Sequence, residues 1–191
     1  MADSELRKYL VDDALKPFCE YIAIGSDSNL ENQLVQKSQQ ENIAKFTPND
    51  FAKRFGSIEM LKKWQSKGRK LFWLLGPGQD LAGIIWYGED ELPFELDGDE
   101  KPNETFAIRI YEGYNGKGLS NPFMTQSLKV YVDEKLKQNE KLPIIWLQTD
   151  TDNIPALKSY TKFGFKEVRR DEKRVTMVLP IENLKSIINN I

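Results

Sequence analysis

The sequence predicts a mixed α/β domain, one sheet with helices packed on it. Three observations carry that prediction. Short apolar runs of strand length recur at 18–24, 71–75, 81–87, 105–111 and 143–148, each closed by glycine, proline or polar residues. Stretches with helical spacing lie between them, so the order reads strand, helices, three strands, helix, strand, helix, two strands. The sharpest junction lies at 110–128. There an apolar run ends at Ile110, a loop punctuated by Gly113, Gly116 and Gly118 follows, and a helix opens around Pro122.

Residues 4–16 are expected to form a short amphipathic helix, because Leu6, Leu10, Val11 and Leu15 recur at helical spacing. Residues 18–24 read as a first strand, broken by Gly25-Ser26-Asp27-Ser28-Asn29. Residues 29–41 carry a polar helical pattern, an exposed helix or loop. Thr47-Pro48-Asn49-Asp50 is a helix start, with a capping residue and an early proline. Phe51, Phe55, Ile58, Leu61 and Trp64 follow at helical spacing, with a bend expected at Gly56-Ser57 and an end at Gly68.

The next two apolar runs flank Gly76-Pro77-Gly78 and read as a hairpin. Residues 89–103 are polar and acidic, and 105–111 form the strand that feeds the glycine loop. The helix after the loop carries Met124, Leu128 and Tyr131 on one face, with Val132 beside them. The near-continuous apolar run at 143–148 reads as a buried strand. Asp150-Thr151-Asp152 offers N-caps for the following helix, Pro155 falls in its first turn and Gly164 ends it. Residues 165–170 and 175–179 make a closing hairpin around Asp171-Glu172-Lys173, and 181–188 a terminal helix. Neither repeats nor a linker divide the chain, so one domain over 1–191 is expected.

Composition narrows the function. A net charge of −2 and a pI near 5.4 point to neither nucleic acid nor an anionic membrane surface. The start of the chain is polar, and no apolar run approaches the roughly 20 residues that span a bilayer. Cys19 is the only cysteine, which excludes an internal disulfide and fits a reducing, cytoplasmic setting. Histidine is absent, so a Ser-His-Asp triad, a Cys-His pair and a histidine base are excluded. The same absence argues against a catalytic zinc, and no metal is expected. Acid–base chemistry falls to carboxylates, tyrosine, lysine or water.

A strand, a glycine loop and a helix N-terminus together make an anion cradle. First-turn N–H groups point outward, the helix dipole adds partial positive charge, and Gly116 and Gly118 let backbone approach a ligand. Phosphate is the expected guest, although a plain strand-to-helix turn would show the same glycines. A second stretch runs Asn153-Ile154-Pro155-Ala156-Leu157-Lys158-Ser159-Tyr160-Thr161-Lys162-Phe163-Gly164-Phe165. Taken together, the two resemble the GNAT superfamily of acetyl-CoA-dependent N-acyltransferases over roughly residues 104–168. In that superfamily an Arg/Gln-x-x-Gly-x-Gly/Ala loop is followed by Asn-x-x-Ala-x-x-x-Tyr-x-x-x-Gly-Phe. The second motif is complete here in Asn153, Ala156, Tyr160, Gly164 and Phe165. The first keeps Gly118 but has Asn115 for the long basic or amide residue and Ser120 for the small one.

The resemblance implies a GNAT-like fold, a mostly antiparallel sheet splayed after its fourth strand with helices on both faces. It implies that Gly116, Lys117, Gly118, Leu119 and Ser120, with Asn115, hold the coenzyme A pyrophosphate, and that Ile110 and Glu112 meet the pantetheine through backbone groups. Pro122 lacks an N–H, so the helix is expected to begin nearer Ser120 or Asn121. Asn153, Ala156 and Tyr160 share a helix face. By resemblance Asn153 bonds the coenzyme arm, Ala156 allows close approach, and Tyr160 faces the sulfur. A phenol can protonate a leaving thiolate, though at this spacing Tyr160 also reads as a core residue packed with Phe163. Glu104 sits where some relatives place a general base, and otherwise reads as a surface glutamate at a strand start.

The implied activity is transfer of acetyl from acetyl-CoA to a primary amine by direct attack in a ternary complex. The acceptor is a small molecule or peptide, and the acid-rich stretch 89–100 would favour a cationic one. A monomer or homodimer is expected. The alternative is an acyl-CoA-binding or sensing module without catalysis, which the altered first motif permits. An unrelated nucleotide binder lacks the Gly-x-x-x-x-Gly-Lys-Ser/Thr loop it would need.

Overall fold

The computed structural model describes residues 5–96 and 101–189. Asp97, Gly98, Asp99 and Glu100, in the expected acidic segment, lie outside the described residues, as does Ser4 of the expected first helix. The elements run β1 (Arg7–Leu10), β2 (Tyr21–Ile24), α1 (Ser28–Lys37), α2 (Glu41–Phe46), a π-helical turn (Asp50–Phe55), α3 (Ile58–Gln65), β3 (Lys70–Leu75), β4 (Leu81–Glu89), β5 (Glu104–Ile110), α4 (Ser120–Lys137), β6 (Ile145–Asp150), α5 (Ile154–Phe163), β7 (Lys166–Arg170), β8 (Arg174–Leu179) and α6 (Ile181–Asn189). The strands are ordered β1-β2-β3-β4-β5-β6-β8-β7. Pairs β1–β2, β2–β3, β6–β8 and β7–β8 are antiparallel, and β5–β6 is parallel. The chain forms two compact units, residues 1–86 with 108–123, and 87–107 with 124–191. β4, β5 and α4 run through both.

In the first unit, the expected helix over 4–16 is instead the strand β1 and a turn. Its backbone pairs antiparallel with β2, Arg7 opposite Ile24 and Leu10 opposite Tyr21. The helical spacing was fortuitous: Val11 and Leu15 are buried by the turn, whereas Leu10 is 75% exposed on the edge strand. The polar stretch becomes α1, capped by the Asp27 carboxylate, which accepts from the Leu30 N–H at 2.9 Å. Leu30 and Leu34 are its buried stripe, and its buried Glu31 accepts from Lys62 Nζ of α3 at 2.7 Å. The bend at Gly56-Ser57 divides the π-helical turn from α3, whose N-cap is Ser57. Phe55, Trp64 and Trp86 pack edge to face, with centroids 5.1–5.8 Å apart.

In the second unit, β6 is buried along nearly its whole length between β5 and β8, as its apolar run predicts. The parallel ladder of β5 with β6 covers Glu104–Ile145 and Thr105–Trp146 and then stops, whereas β6 pairs with β8 along all of 145–150. The β5–β6 ladder is thus confined to the start of each strand. β5 is the fifth strand of the order rather than the fourth, because β1 adds a strand at the edge. Strand β7 is exposed at the opposite edge, and its Lys-Glu-Val-Arg-Arg sequence guards an open ladder with charge.

Candidate active site

The loop between β5 and α4 belongs to the first unit. Gly113, Gly116 and Gly118 have φ of 85°, 74° and 73°, the left-handed region where a side chain costs energy. A Cβ built on any of the three meets no atom within 4 Å, so the backbone rather than crowding calls for glycine. Among the described residues, nothing accepts from the N–H groups of Gly116, Lys117 and Gly118. Buried Leu119 anchors the loop end, and its carbonyl accepts from the Phe123 N–H at 3.0 Å. α4 starts at Ser120, as expected, leaving Pro122 in a first turn that needs no N–H there. Unpaired amides and the positive end of an 18-residue helix thus meet on one exposed loop. The space and donors suit a pyrophosphate.

The flanks of this loop were only partly legible. Glu112 donates its N–H to Gln40 Oε1 at 3.1 Å, so that amide is engaged within the protein. Lys117 Nζ lies 4.8 Å from the Phe18 ring centroid and 5.2 Å from that of Tyr114. Phe18 and Cys19, distant in sequence, therefore belong to the loop's surroundings. Burial pushes the Cys19 thiol up to about 11, against the opposing charge of Lys117, so it is no ready nucleophile. Tyr114 seats on the hairpin turn: a Cβ at Gly76 would run into its hydroxyl. Burial and then the Asp80 carboxylate push Tyr114 up to about 12. The Gly76-Pro77-Gly78 turn signalled the hairpin but held no sign of this docking role.

The motif helix α5 belongs to the second unit. Asn153 is its N-cap, its Oδ1 accepting from the Ala156 N–H at 3.4 Å, where Asp150, Thr151 or Asp152 was expected. The Asn-x-x-Ala spacing is therefore also a capping geometry. Gly164 ends the helix at φ 114°, and Phe165 turns back into the core. Tyr160 is buried, its ring edge-on to Phe106 of β5 at 6.2 Å and to Phe165 at 5.9 Å. Core packing was expected with Phe163, which itself stacks on Phe165.

Glu104 is not at the surface. It is 1% exposed, accepts from the Tyr131 hydroxyl at 2.8 Å, and pairs with Lys135 Nζ at 2.7 Å. Glu104 Oε1 is held in this ion pair. Burial alone would lower Lys135, but its bonds to Glu104 and Glu140 outweigh it and raise the ammonium above its ordinary range. Burial and then Glu104 raise the Tyr131 phenol. The Tyr131 ring stacks on Tyr87 at 4.3 Å, and Tyr87 bonds Ser127 at 3.1 Å. The Glu104 side chain is committed to Tyr131 and Lys135.

Asp50, Arg54 and Arg109 were not foreseen as a group. Asp50 is fully buried in the π-helical turn and holds both guanidiniums. The available signal was Arg109 itself, a charge within the apolar stretch 106–110 of β5, which calls for a partner.

No family model matches the chain. A mycothiol acetyltransferase of Corynebacterium aurimucosum is 26% identical over 117 residues, 60% of this chain and 32% of the relative. The chain thus spans about a third of the length of that relative. Among solved structures, a GNAT-family acetyltransferase of Bacillus anthracis superposes with a TM-score of 0.58 at 16% identity, covering 86% of this chain and 97% of that one. A spermidine N-acetyltransferase of Vibrio cholerae, in complex with CoA and spermine, gives a TM-score of 0.57 at 14% identity, covering 96% and 99%. The mostly antiparallel sheet that opens after β5, the glycine loop and the helix that follows it are those of a GNAT fold, and that is the fold of this chain.

Proposed function

We propose that the protein is an acyltransferase that uses acetyl-CoA to acetylate a primary amine within a ternary complex. The observation that carries this reading is the β5–α4 loop, whose Gly116, Lys117 and Gly118 amides stand, among the described residues, without acceptors at a helix N-terminus. Such amides suit a pyrophosphate, and Lys117 adds a charge beside them. The short Asn115 brings less reach than an arginine, so the amides carry most of that contact. In the same reading Ile110, the last residue of β5, and Glu112 meet an extended amide-bearing arm through backbone groups. Glu112 keeps its N–H on Gln40.

When bound, acetyl-CoA supplies an activated acyl carbon and a thiolate leaving group. In this reading Tyr160 donates its phenolic proton to that thiolate, and Ala156, small and on the same face, lets the arm approach α5. Asn153 spends its Oδ1 on the helix cap, which leaves its amide NH2 as the group able to donate to a ligand. Glu104 is assigned an anchoring role with Tyr131 and Lys135 rather than that of the base. The acceptor amine therefore loses its proton to water or to another carboxylate.

A thiol-release assay with acetyl-CoA over a panel of amines tests the reading. Acceptor-dependent release of free thiol is expected. Tight coenzyme binding with no release on any amine would support the sensing module instead.

A further inference from the structure

Lys117 is the only cation between Ile110 and Ser120, and what holds it is aromatic. Its ammonium lies within cation–π reach of two rings, 4.8 Å from the centroid of Phe18 and 5.2 Å from that of Tyr114. Among the described residues, no carboxylate pairs with it. The difference matters. A carboxylate would hold the lysine and cancel its charge, whereas a ring face holds the lysine and leaves the charge available. A free lysine on a surface also spreads over many rotamers and loses that freedom when it meets an anion. Rings that hold the ammonium beforehand reduce that cost.

Both rings are themselves fixed, and by parts of the first unit. Phe18 closes the turn between β1 and β2, where its N–H donates to the carbonyl of buried Leu15 at 3.0 Å and that of Cys19 to the same carbonyl at 2.9 Å. Glu20 then ties this turn to the end of β3, its N–H donating to the Leu75 carbonyl at 2.8 Å. The next residue along that hairpin is Gly76, which leaves room for the Tyr114 hydroxyl. Tyr114 bonds the Asp80 carboxylate at the far side of the same turn, and Asp80 pairs with Lys37 Nζ of α1 at 3.0 Å. The β1–β2 turn and the β3–β4 hairpin thus set where the loop's one cation stands. Gly116 and Gly118, on either side of Lys117, carry the amides that lack acceptors among the described residues.

Resting on the acyltransferase reading, we infer that Phe18 and Tyr114 are positioning residues for the coenzyme: they hold the Lys117 ammonium, uncompensated, where it meets a phosphate group of acetyl-CoA. Neither ring touches the reacting atoms. Their effect passes through Lys117, so it vanishes when Lys117 loses its charge. Asn115, short and uncharged, adds no cation to the loop, which leaves the electrostatic share of the contact to this one side chain.

The test is a double-mutant cycle on the full chain, read by calorimetric titration with CoA and with dephospho-CoA, and by thiol release from acetyl-CoA over the amine panel. Lys117→Met should weaken CoA about tenfold, and Lys117→Arg should stay within about twofold of wild type. Phe18→Leu should weaken CoA about threefold to fivefold, and Phe18→Trp, which keeps a ring face, should not. In the Lys117→Met background Phe18→Leu should cost nothing further. Tyr114→Leu should follow the same pattern, and Tyr114→Phe should keep its affinity. In turnover Phe18→Leu should raise KM for acetyl-CoA by the same factor and leave kcat in place. A loss confined to CoA assigns Lys117 to the ribose phosphate, and an equal loss with dephospho-CoA assigns it to the pyrophosphate. Unchanged affinity in Phe18→Leu, or an equal loss in both backgrounds, would overturn the inference, and acceptor-dependent thiol release alongside either result would leave the acyltransferase reading intact. The full coupling without thiol release on any amine would keep the inference and sink that reading. Failure of the wild type to bind CoA would overturn both.

Discussion

Lys135 Nζ lies 2.7 Å from Glu104 Oε1, with the carboxylate 1% and the lysine side chain 14% exposed. The pair ties α4 to the start of β5, beside the point where the β5–β6 ladder stops. Breaking an enclosed pair leaves an uncompensated charge, which costs more than the pair itself contributes. Lys135→Met should therefore lower the unfolding free energy by about 3 kcal/mol in urea titrations. Tyr131→Phe, which removes a hydrogen bond to the same carboxylate, should cost about 1.5 kcal/mol. Losses under half a kcal/mol in both would show that Glu104 is solvated rather than enclosed.

The proton-donor role of Tyr160 is separable from its packing. The ring lies among Phe106 and Phe165, and phenylalanine preserves that contact. Tyr160→Phe should leave the melting temperature and acetyl-CoA affinity within twofold while turnover falls about 100-fold. Rapid turnover in this variant would assign the proton to another donor.

Two glycines should fail for different reasons. Gly118 has a φ of 73° with open space around it, so Gly118→Ala costs the left-handed conformation, about 1–2 kcal/mol, felt as weaker coenzyme binding as the loop adjusts. Gly76 has a φ of −82°, which alanine adopts freely, but its new methyl would strike the Tyr114 hydroxyl. Gly76→Ala should cost about 1–3 kcal/mol, and Tyr114→Ala in the same chain should recover most of it. Strict additivity of the two changes in thermal unfolding would refute the contact.

The Cys19 thiol titrates near 11 because burial disfavours its thiolate. Alkylation by iodoacetamide at pH 8 should be slow in the folded protein and fast in urea, and Cys19→Ala should retain full turnover. The sign of the linkage follows from the raised value. The thiol contributes stability that is whole below 9.0, its ordinary value, and is lost as pH rises toward about 11. Comparing wild type and Cys19→Ala across that window isolates it.

Much of this fold could be read from residues, and the misses share a cause. The Gly76-Pro77-Gly78 hairpin, the β5–loop–α4 junction and α5 with its Gly164 end are local patterns, specified within a few positions. The edge strand β1 was misread because it is held by pairing to β2, which no local period encodes. Asp150, Thr151 and Asp152 read as the caps of α5, yet Asn153 takes that place, because the motif spacing and the capping spacing coincide. Glu104 looked exposed because its enclosing partners, Tyr131 and Lys135, arrive from α4. Arg109 within the apolar stretch 106–110 of β5 did call for a partner, but only the tertiary structure identifies it as Asp50.

Asp50 provides a pH test of its cluster. Burial alone would raise its carboxyl, but Arg109 and then Arg54 outweigh burial and hold it below its ordinary value of 3.8. A depressed folded value means that the contribution is fully present above 3.8 and lost as pH falls through the lower folded value. Asp50→Asn removes the titration and takes from two guanidiniums against Trp86 the carboxylate that they share, at a cost of about 3–5 kcal/mol near neutral pH. Wild type and variant share every other carboxylate, so their difference reports Asp50 alone. That difference should be flat from neutral pH down to about 5 and should narrow only at the acid end, below the ordinary carboxylate value. A difference that narrows already above pH 5 would mean that Asp50 titrates as an ordinary or raised acid, and that the two arginines do not hold it charged.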